Sequence, residues 1–312
     1  MSNFLSALFK KLPLLLLILT IGVGLLPVIG WLGGGFWFLD LFNHFQYQYV
    51  WFLILCALVL ALMKSFRGAA VAGLLLIVPL VRILPGYLAP PAAPAGNTVV
   101  TIASFNVLAS NRKHAATIQW VKDTMPDAIF FTEVSEEWTE ALKELEGVYP
   151  YFINEGPDMA FFSKFPIASQ EVHRVSQIEF RLLEAHLTTP GGPLTLFAGH
   201  PLPPLAPRWA GALDDFVAAL ASEVAQEKGR VVVVGDFNAT RWSHKTVALA
   251  DLGLLEASKG QAPGATWKRG NPVFGIPIDR ILFRGEGMGC KSFKIGPDIH
   301  SDHRPVVAEL TW

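Results

Sequence analysis

The sequence predicts two parts of different class: an α-helical membrane region, then an α/β domain in which sheets are covered by helices. Three observations predict this. The composition is lopsided, the first part carries apolar runs long enough to cross a bilayer, and the second alternates short β-like runs with amphipathic ones. Of the 312 residues, 52% are hydrophobic and 16% charged, with a mean hydropathy of +0.39. Soluble domains usually carry about 25% charged residues, which argues against an ordinary cytosolic protein. The high apolar fraction and the two cysteines exclude collagen-like, disordered and disulfide-scaffold classes. Residues 1–96 hold five basic residues (Lys10, Lys11, Lys64, Arg67, Arg82) and one acid, Asp40. Residues 97–312 hold 20 basic and 25 acidic residues, a net charge of −5 and a normal globular balance.

A bilayer core is spanned by about 20 apolar residues as helix. Leu12–Leu39 is 28 residues without a charge, Leu41–Met63 is 23 more interrupted by His44, and Gly68–Leu88 is 21 with Arg82 near its end. Three spans are expected, near 12–30, 45–63 and 69–88, as helices because lipid leaves the backbone no other hydrogen-bond partner. A cleaved signal peptide does not fit, since the first run is too long and two more follow. Arg82, among Pro79 and Pro85, is placed to snorkel to the interface. Trp31, Trp37 and Trp51 fall near span ends, where aromatic belts form. Lys10 and Lys11 precede the first span and Lys64 and Arg67 follow the second, while 31–49 has no Lys or Arg. The positive-inside rule then puts the N-terminus inside and, after three crossings, everything beyond residue 88 outside. The expected location is an integral membrane protein, of a bacterial inner membrane, with a periplasmic or extracellular domain. Cys56 in a span and Cys290 in the domain are not expected to pair. The segment 85–97, with four Pro and four Ala, reads as an extended semi-rigid spacer. The division is therefore a membrane region 1–88, a linker 89–97 and a domain 98–312.

In the domain, strands are expected at Thr98–Ser104, Asp127–Glu133, Met159–Ser163, Glu179–Leu187, Leu194–Gly199, Arg230–Gly235, Ile278–Phe283 and Arg304–Leu310. Val231–Val234 is a continuous β-branched run, as in a strand buried on both faces. Helices are expected over Arg208–Lys228, with Trp209, Leu213, Phe216, Val217, Leu220 and Val224 on one face and Gly229 as its stop; over Arg112–Thr124, ended by Pro126; and after Ser135, whose hydroxyl can cap a first turn carrying Glu136 and Glu137.

Polar residues stand where these apolar strands end: Asn106, Glu133, His200, Asp236 with Asn238, Asp279, and Asp302 with His303. A single carboxylate after a strand is usually a turn or cap residue. Six strand-edge sites carrying only Asn, Glu, Asp and His form instead a set of hard oxygen ligands suited to Mg²⁺, with histidines for proton transfer or phosphate contact.

These residues lie in GDFNAT (235–240), SDHRPV (301–306), PIDRILF (277–283), FNVLASN (105–111), FFTEV (130–134), AFFSKFPI (160–167) and GHPLPP (199–204). The set resembles the endonuclease/exonuclease/phosphatase superfamily over 98–312; its relatives include apurinic endonucleases, pancreatic-type deoxyribonucleases, neutral sphingomyelinases and inositol polyphosphate phosphatases. The resemblance implies a layered sandwich of two mixed β-sheets flanked by helices. It implies a metal-dependent phosphoester hydrolase using Mg²⁺ (or Mn²⁺). Glu133 is implied as principal metal ligand with Asn106 beside it, and Asp236 and Asp302 as further metal-binding groups. Asp236 would position or deprotonate the attacking water, and Asn238 would hold it or a phosphate oxygen. His303 would contact the phosphate, Asp279 would orient its ring, and His200 would contact the phosphate or leaving group. Such roles suit a reaction that needs in-line positioning and neutralised charge.

Two departures stand out. Thr132 replaces the Gln that many relatives place before the metal-binding Glu. Arg280 replaces a His after Asp279, to contact phosphate or face solvent. His44, His114, His173, His186, His244 and His300 match no motif and read as surface or structural residues. Trp267 reads as core, with a place lining the cleft as the alternative. The expected substrate is a lipid headgroup or small phosphoester, which suits tethering at the bilayer. A nuclease is the alternative, disfavoured by the net charge of −5 because nucleic-acid binding usually shows as a basic domain. A membrane-anchored binding module that has lost catalysis is disfavoured by the complete polar set. No protein partner is inferable.

Overall fold

The computed structural model describes all residues except Met1, Pro90, Pro94, Ala95, Glu155, Gly156, 176–179, Ala262, Pro263, Gly270 and Pro272, and the side chains of 2–10 and Phe180. The chain divides into two compact units, Met1–Pro85 and Gly86–Trp312.

The first unit is helical. Its elements are α1 (Ser2–Leu32), the short α2 (Trp37–Asp40), α3 (Gln46–Leu62) and most of α4 (Phe66–Leu88). The stretches Lys11–Leu32, Trp37–Leu62 and Phe66–Leu88 are long and apolar enough to cross a membrane. Leu14, Ile18, Leu55, Leu58 and Leu74 are exposed on their outside. The unit's interior, by contrast, holds Asp40, Asn43, His44 and Gln46, all buried. Asn43 Nδ2 donates to Asp40 Oδ1 at 2.8 Å and to the Gly30 carbonyl at 3.0 Å, and Arg82 donates to Asn43 Oδ1. The partly buried Arg82 thus turns its guanidinium to an amide that can accept, which costs less than leaving a charge unpaired.

The second unit is an α/β domain of two mixed six-stranded sheets. Its elements follow α4 as β1 (Val99–Asn106), α5 (His114–Thr124), β2 (Ala128–Val134), α6 (Glu136–Leu142), β3 (Tyr151–Ile153), β4 (Asp158–Ser163), β5 (Ile167–Val175), β6 (Phe180–Thr189), β7 (Gly192–Gly199), α7 (Pro207–Gln226), β8 (Arg230–Asp236), α8 (Val247–Asp251), β9 (Leu255–Glu256), β10 (Asp279–Arg284), β11 (Gly289–Ile295) and β12 (Val306–Thr311). The first sheet runs β11-β12-β1-β2-β4-β3 and the second β5-β6-β7-β8-β10-β9. In each sheet one central pair is parallel, β1 with β2 and β7 with β8, and the other pairs are antiparallel.

Period-two alternation builds the layers. Ile102, Phe130, Phe161, Leu183, Leu196, Val232, Val234 and Ile281 pack between the sheets. Phe197, Val231, Val233 and Leu282 point the other way, onto Leu213, Phe216, Leu220 and Val224 of α7. Phe105, Ile129, Phe131 and Phe162 pack onto Ile118, Val121 and Trp138 of α5 and α6. The run Val231–Val234 is apolar throughout because both faces are covered.

Local details follow the chemistry of each end. Ser135 Oγ accepts from the Trp138 N–H and caps α6. Pro126 bars helical backbone to the residue before it, and Met125 turns left-handed at φ 48°. The end of α7 differs from expectation: Glu227 is already extended (ψ 124°), so the helix stops before Gly229, which plays no left-handed cap. Of the expected strand Glu179–Leu187, Glu179 lies outside the described residues. In the segment after α4, Ala92 packs against the inter-sheet core and its carbonyl accepts from the Cys290 N–H at 3.0 Å. That stretch is thus laid on the domain.

Candidate active site

Asn106 closes β1, Glu133 lies near the end of β2, Asp236 closes β8, Asp279 opens β10 and His200 follows β7 directly. Gly199 and Gly235 are register partners on β7 and β8. Gly235 sits at φ 149°, and a Cβ there would lie 2.0 Å from the Gly199 carbonyl oxygen. Glycine is required for that approach, which brings His200 and Asp236 side by side.

Two polar residues hold left-handed backbone. Glu133 has φ 56° and interrupts the β2–β4 register between Thr132 and Val134; Asn238 has φ 48°. Such conformations cost about 1–3 kcal/mol each and concentrate where a side chain must be aimed. Glu133 Oε1 accepts from Asn106 Nδ2 at 2.8 Å, and the same amide reaches Asp236 Oδ2 at 3.1 Å. Asn106, Glu133 and Asp236, from three strands, therefore meet at one point. The Asn238 N–H donates to Asp236 Oδ1 at 2.8 Å, while its Nδ2 lies 3.1 Å from His200 Nε2. His200 Nε2 is 3.4 Å from Asp236 Oδ2, and His303 Nε2 is 3.6 Å from the same oxygen. The other His303 nitrogen, Nδ1, is 2.8 Å from Asp279 Oδ2. Ser301 Oγ donates to the Asn106 carbonyl at 2.7 Å and accepts from the His303 N–H at 3.0 Å, pinning the last loop to β1.

Charge follows from this geometry. Burial opposes protonation of His303, but Asp279 and Asp236 outweigh it and push its pKa up to about 10. Burial also disfavours the Asp236 carboxylate, yet His303, His200 and the Asn238 N–H hold it well below the usual carboxylate range. His200 is likewise raised: burial is outweighed by Asp236, with Glu133 and Asp158 adding to it. Near neutral pH the centre therefore pairs an ionised Asp236 with a protonated His303.

The donor set fits a divalent ion. Asn106, Glu133 and Asp236 converge, and Asp302 Oδ1 is buried with no partner among the described residues. The Asn106 atom facing the carboxylates is Nδ2; its Oδ1 accepts from the Leu108 N–H at 3.0 Å, so ligation by Asn106 needs the amide turned over.

Sequence reasoning missed several neighbours. Trp267 is half-buried rather than core; it bridges to His303 through the backbone and donates from Nε1 to Asp302 Oδ2 at 3.1 Å. Lys268 lies over its ring at 5.3 Å. Thr266 Oγ1 accepts from the Asp279 N–H at 3.1 Å. Asp158 is register partner to Val134, beside Glu133, and belongs to none of the motifs singled out in the sequence. Arg280 neither contacts the site nor faces solvent: it is buried, paired with Glu256 at 2.9 Å and set 5.2 Å over the Phe237 ring. Thr132 Oγ1 is buried without a partner among the described residues. His300 is exposed, as expected of a surface residue.

The Endonuclease/Exonuclease/phosphatase family profile matches residues 103–303. Three solved structures illustrate the likeness of fold. D. rerio TDP2 complexed with single strand DNA product aligns at TM-score 0.58 and 17% identity, over 69% of this chain and 100% of that one. The endonuclease/exonuclease/phosphatase from Beutenbergia cavernae aligns at 0.58 and 15%, over 69% and 72%. The one from Bacteroides vulgatus aligns at 0.57 and 18%, over 69% and 99%. No curated protein sequence matches significantly. A family match over most of the domain, on two mixed sheets whose strand ends gather Asn106, Glu133, Asp236, Asp279 and His303, places this chain in the endonuclease/exonuclease/phosphatase family.

Proposed function

We infer that this protein is a membrane-tethered, divalent-metal-dependent phosphoester hydrolase acting outside the cytoplasm on lipid headgroups or small phosphoesters. The observation that carries this reading is the convergence of Asn106, Glu133 and Asp236 with the His303–Asp279 pair, in a chain that begins with three apolar helices. Glu133, Asp302, Asp236 and Asn106 are the residues to hold Mg²⁺ or Mn²⁺. A bound ion would supply Lewis acidity and a more acidic water.

The chain's own groups have separable tasks. Ionised Asp236, fixed by the Asn238 N–H, accepts a proton from the attacking water or orients it. Protonated His303 places positive charge where the phosphoryl oxygens gain negative charge, and Asp279 keeps its Nδ1–H pointing away from the substrate. His200 and Asn238 stand on the other side of Asp236, within reach of a phosphate oxygen or the leaving group.

A nuclease is the second reading. It is favoured by the DNA-bound TDP2 that shares the fold and by exposed Lys268 and Arg269 next to Asp302, and opposed by the domain's net charge of −5. The full chain in detergent, with Mg²⁺ or Mn²⁺, is to be offered phospholipids, inositol phosphates, a generic phosphodiester and plasmid DNA. Turnover of a lipid or small phosphoester above that of DNA is expected. The reverse order would install the nuclease, and no turnover of any substrate with a metal present would reject the enzyme.

A further inference from the structure

The geometry points to a second metal site, for a zinc-class divalent ion, between sheet and helix and away from the active site; it does not rest on the proposed activity. His173 on β5, Glu184 and His186 on β6 and Thr195 on β7 share the sheet face on which α7 packs. Where the middle of α7 covers this face the side chains are apolar, as with Leu182 and Phe197. Here Glu184 stands between two imidazoles: its Oε2 is 2.8 Å from His173 Nε2 and its Oε1 is 2.9 Å from His186 Nε2. The end of α7 brings two more carboxylates. Ligand atoms of His173, Glu184 and Glu223 lie within 4.8 Å of one another, and so do those of Glu184, His186 and Glu227.

The cluster has an excess of negative charge. Glu171 is the direct cross-strand partner of Glu184, a like-charge pairing that is unfavourable by itself. Among the described residues no lysine or arginine forms an ion pair with Glu171, Glu184, Glu223 or Glu227. Glu184 is contacted by the two imidazoles and Glu171 by His173 at 3.7 Å, while among the described residues Glu227 and Glu223 have only uncharged donors, Thr195 Oγ1 at 2.9 Å and Gln226 Nε2 at 3.0 Å. A divalent cation is the partner this arrangement lacks. Each group sets one imidazole nitrogen against two carboxylates, a mixed nitrogen–oxygen set that suits a zinc-class ion better than Mg²⁺, which takes oxygens. Ligand atoms about 2.1 Å from a tetrahedral ion sit about 3.4 Å apart, so the His–Glu contacts need to open by roughly half an ångström. Glu184, with one oxygen toward each histidine, is the shared ligand. His173 pairs with Leu182, the partner of Gly199, and so lies two strands or about 10 Å across the sheet from that residue, while Glu184 and His186 lie two and four residues further along β6.

Co²⁺ is the spectroscopic probe and Zn²⁺ the binding probe, both on the full chain in detergent with excess Mg²⁺ present. Wild-type protein should show visible Co²⁺ absorption of a nitrogen-ligated site and a rise in melting temperature with Zn²⁺. Glu184→Gln should weaken Zn²⁺ by more than about tenfold, and His173→Ala with His186→Ala should abolish both signals. Glu133→Gln, at the active site, should keep both. Absence of the absorption in wild-type protein overturns the proposal and leaves ion pairs of protonated histidines; so does its survival in the double histidine variant, or its loss in Glu133→Gln alone. If the double variant does not fold, the wild-type absorption and Glu184→Gln still decide.

Discussion

At the residue scale, the sharpest feature is His303 held between two carboxylates, Asp279 on Nδ1 and Asp236 on Nε2. Asp279 is proposed as a positioning residue that acts through His303. His303→Ala should remove most activity, Asp279→Asn somewhat less, and the double variant should be little worse than His303→Ala, because residues acting as a unit are non-additive. Comparison of kcat/KM across the three, with melting curves to confirm folding, checks this; additive losses in well-folded proteins would break the coupling. Glu133→Gln preserves shape but removes a charge, so turnover should fall by orders of magnitude and the Mg²⁺ midpoint should rise. A magnesium titration of activity is the measurement, and unchanged turnover would move the metal elsewhere. These residues stood out in the sequence because each stands at one end of an apolar run. Trp267 and Thr266 did not, since their loop has no periodicity and their partners Asp302 and Asp279 lie 35 and 13 residues away.

At the element scale, the ends of β7 and β8 depend on the Gly199–Gly235 contact. Gly235→Ala forces a Cβ against a carbonyl at 2.0 Å. The strands must part, at a cost on the order of 3 kcal/mol, and His200 should leave Asp236. A lowered melting temperature together with lost activity is expected; a near-normal enzyme would show that the strand ends can relax. Cys290, on β11, tests the packing of the inter-sheet core. Burial pushes its thiol up to about 11, and its single S–H has the Ala257 and Ser292 carbonyls as acceptors, each 3.4 Å from Sγ. A free thiol ionises near 8.5, so folding favours the protonated form. This contribution to stability is complete below about pH 8.5 and is lost as pH rises through about 11. Alkylation of Cys290 at neutral pH should therefore be far slower in folded than in unfolded chain, and equal rates would contradict its burial. The elements missed in the sequence share a cause. Ile167–Val175 is an edge strand exposed on most positions, Tyr151–Ile153 and Leu255–Glu256 are very short, and Gly289–Ile295 is half solvated. None shows the alternation that burial on one face imposes.

At the scale of the whole molecule, the proposed topology puts the domain outside the cytoplasm. It rests on Lys10, Lys11, Lys64 and Arg67 flanking an odd number of apolar helices. An alkaline-phosphatase-type reporter fused after residue 97 should be active, and activity of a cytoplasmic reporter alone would invert the chain. The sequence by itself determined the three apolar helices, the central strands and the family. Those features are written in runs of neighbouring residues, where the periods of strand and helix and the thickness of a bilayer act locally. Only the tertiary structure decided which polar residues meet. Asn106 reaches Asp236 across 130 positions, and Arg82 reaches Asn43 across 39. Arg280 turns from the site to Glu256, and His173 and His186 share Glu184 under the end of α7. Each pairing is set by sheet order and strand register, which bring distant positions together, and by the cost of burying a polar group without a partner, which then selects among the neighbours that the register supplies.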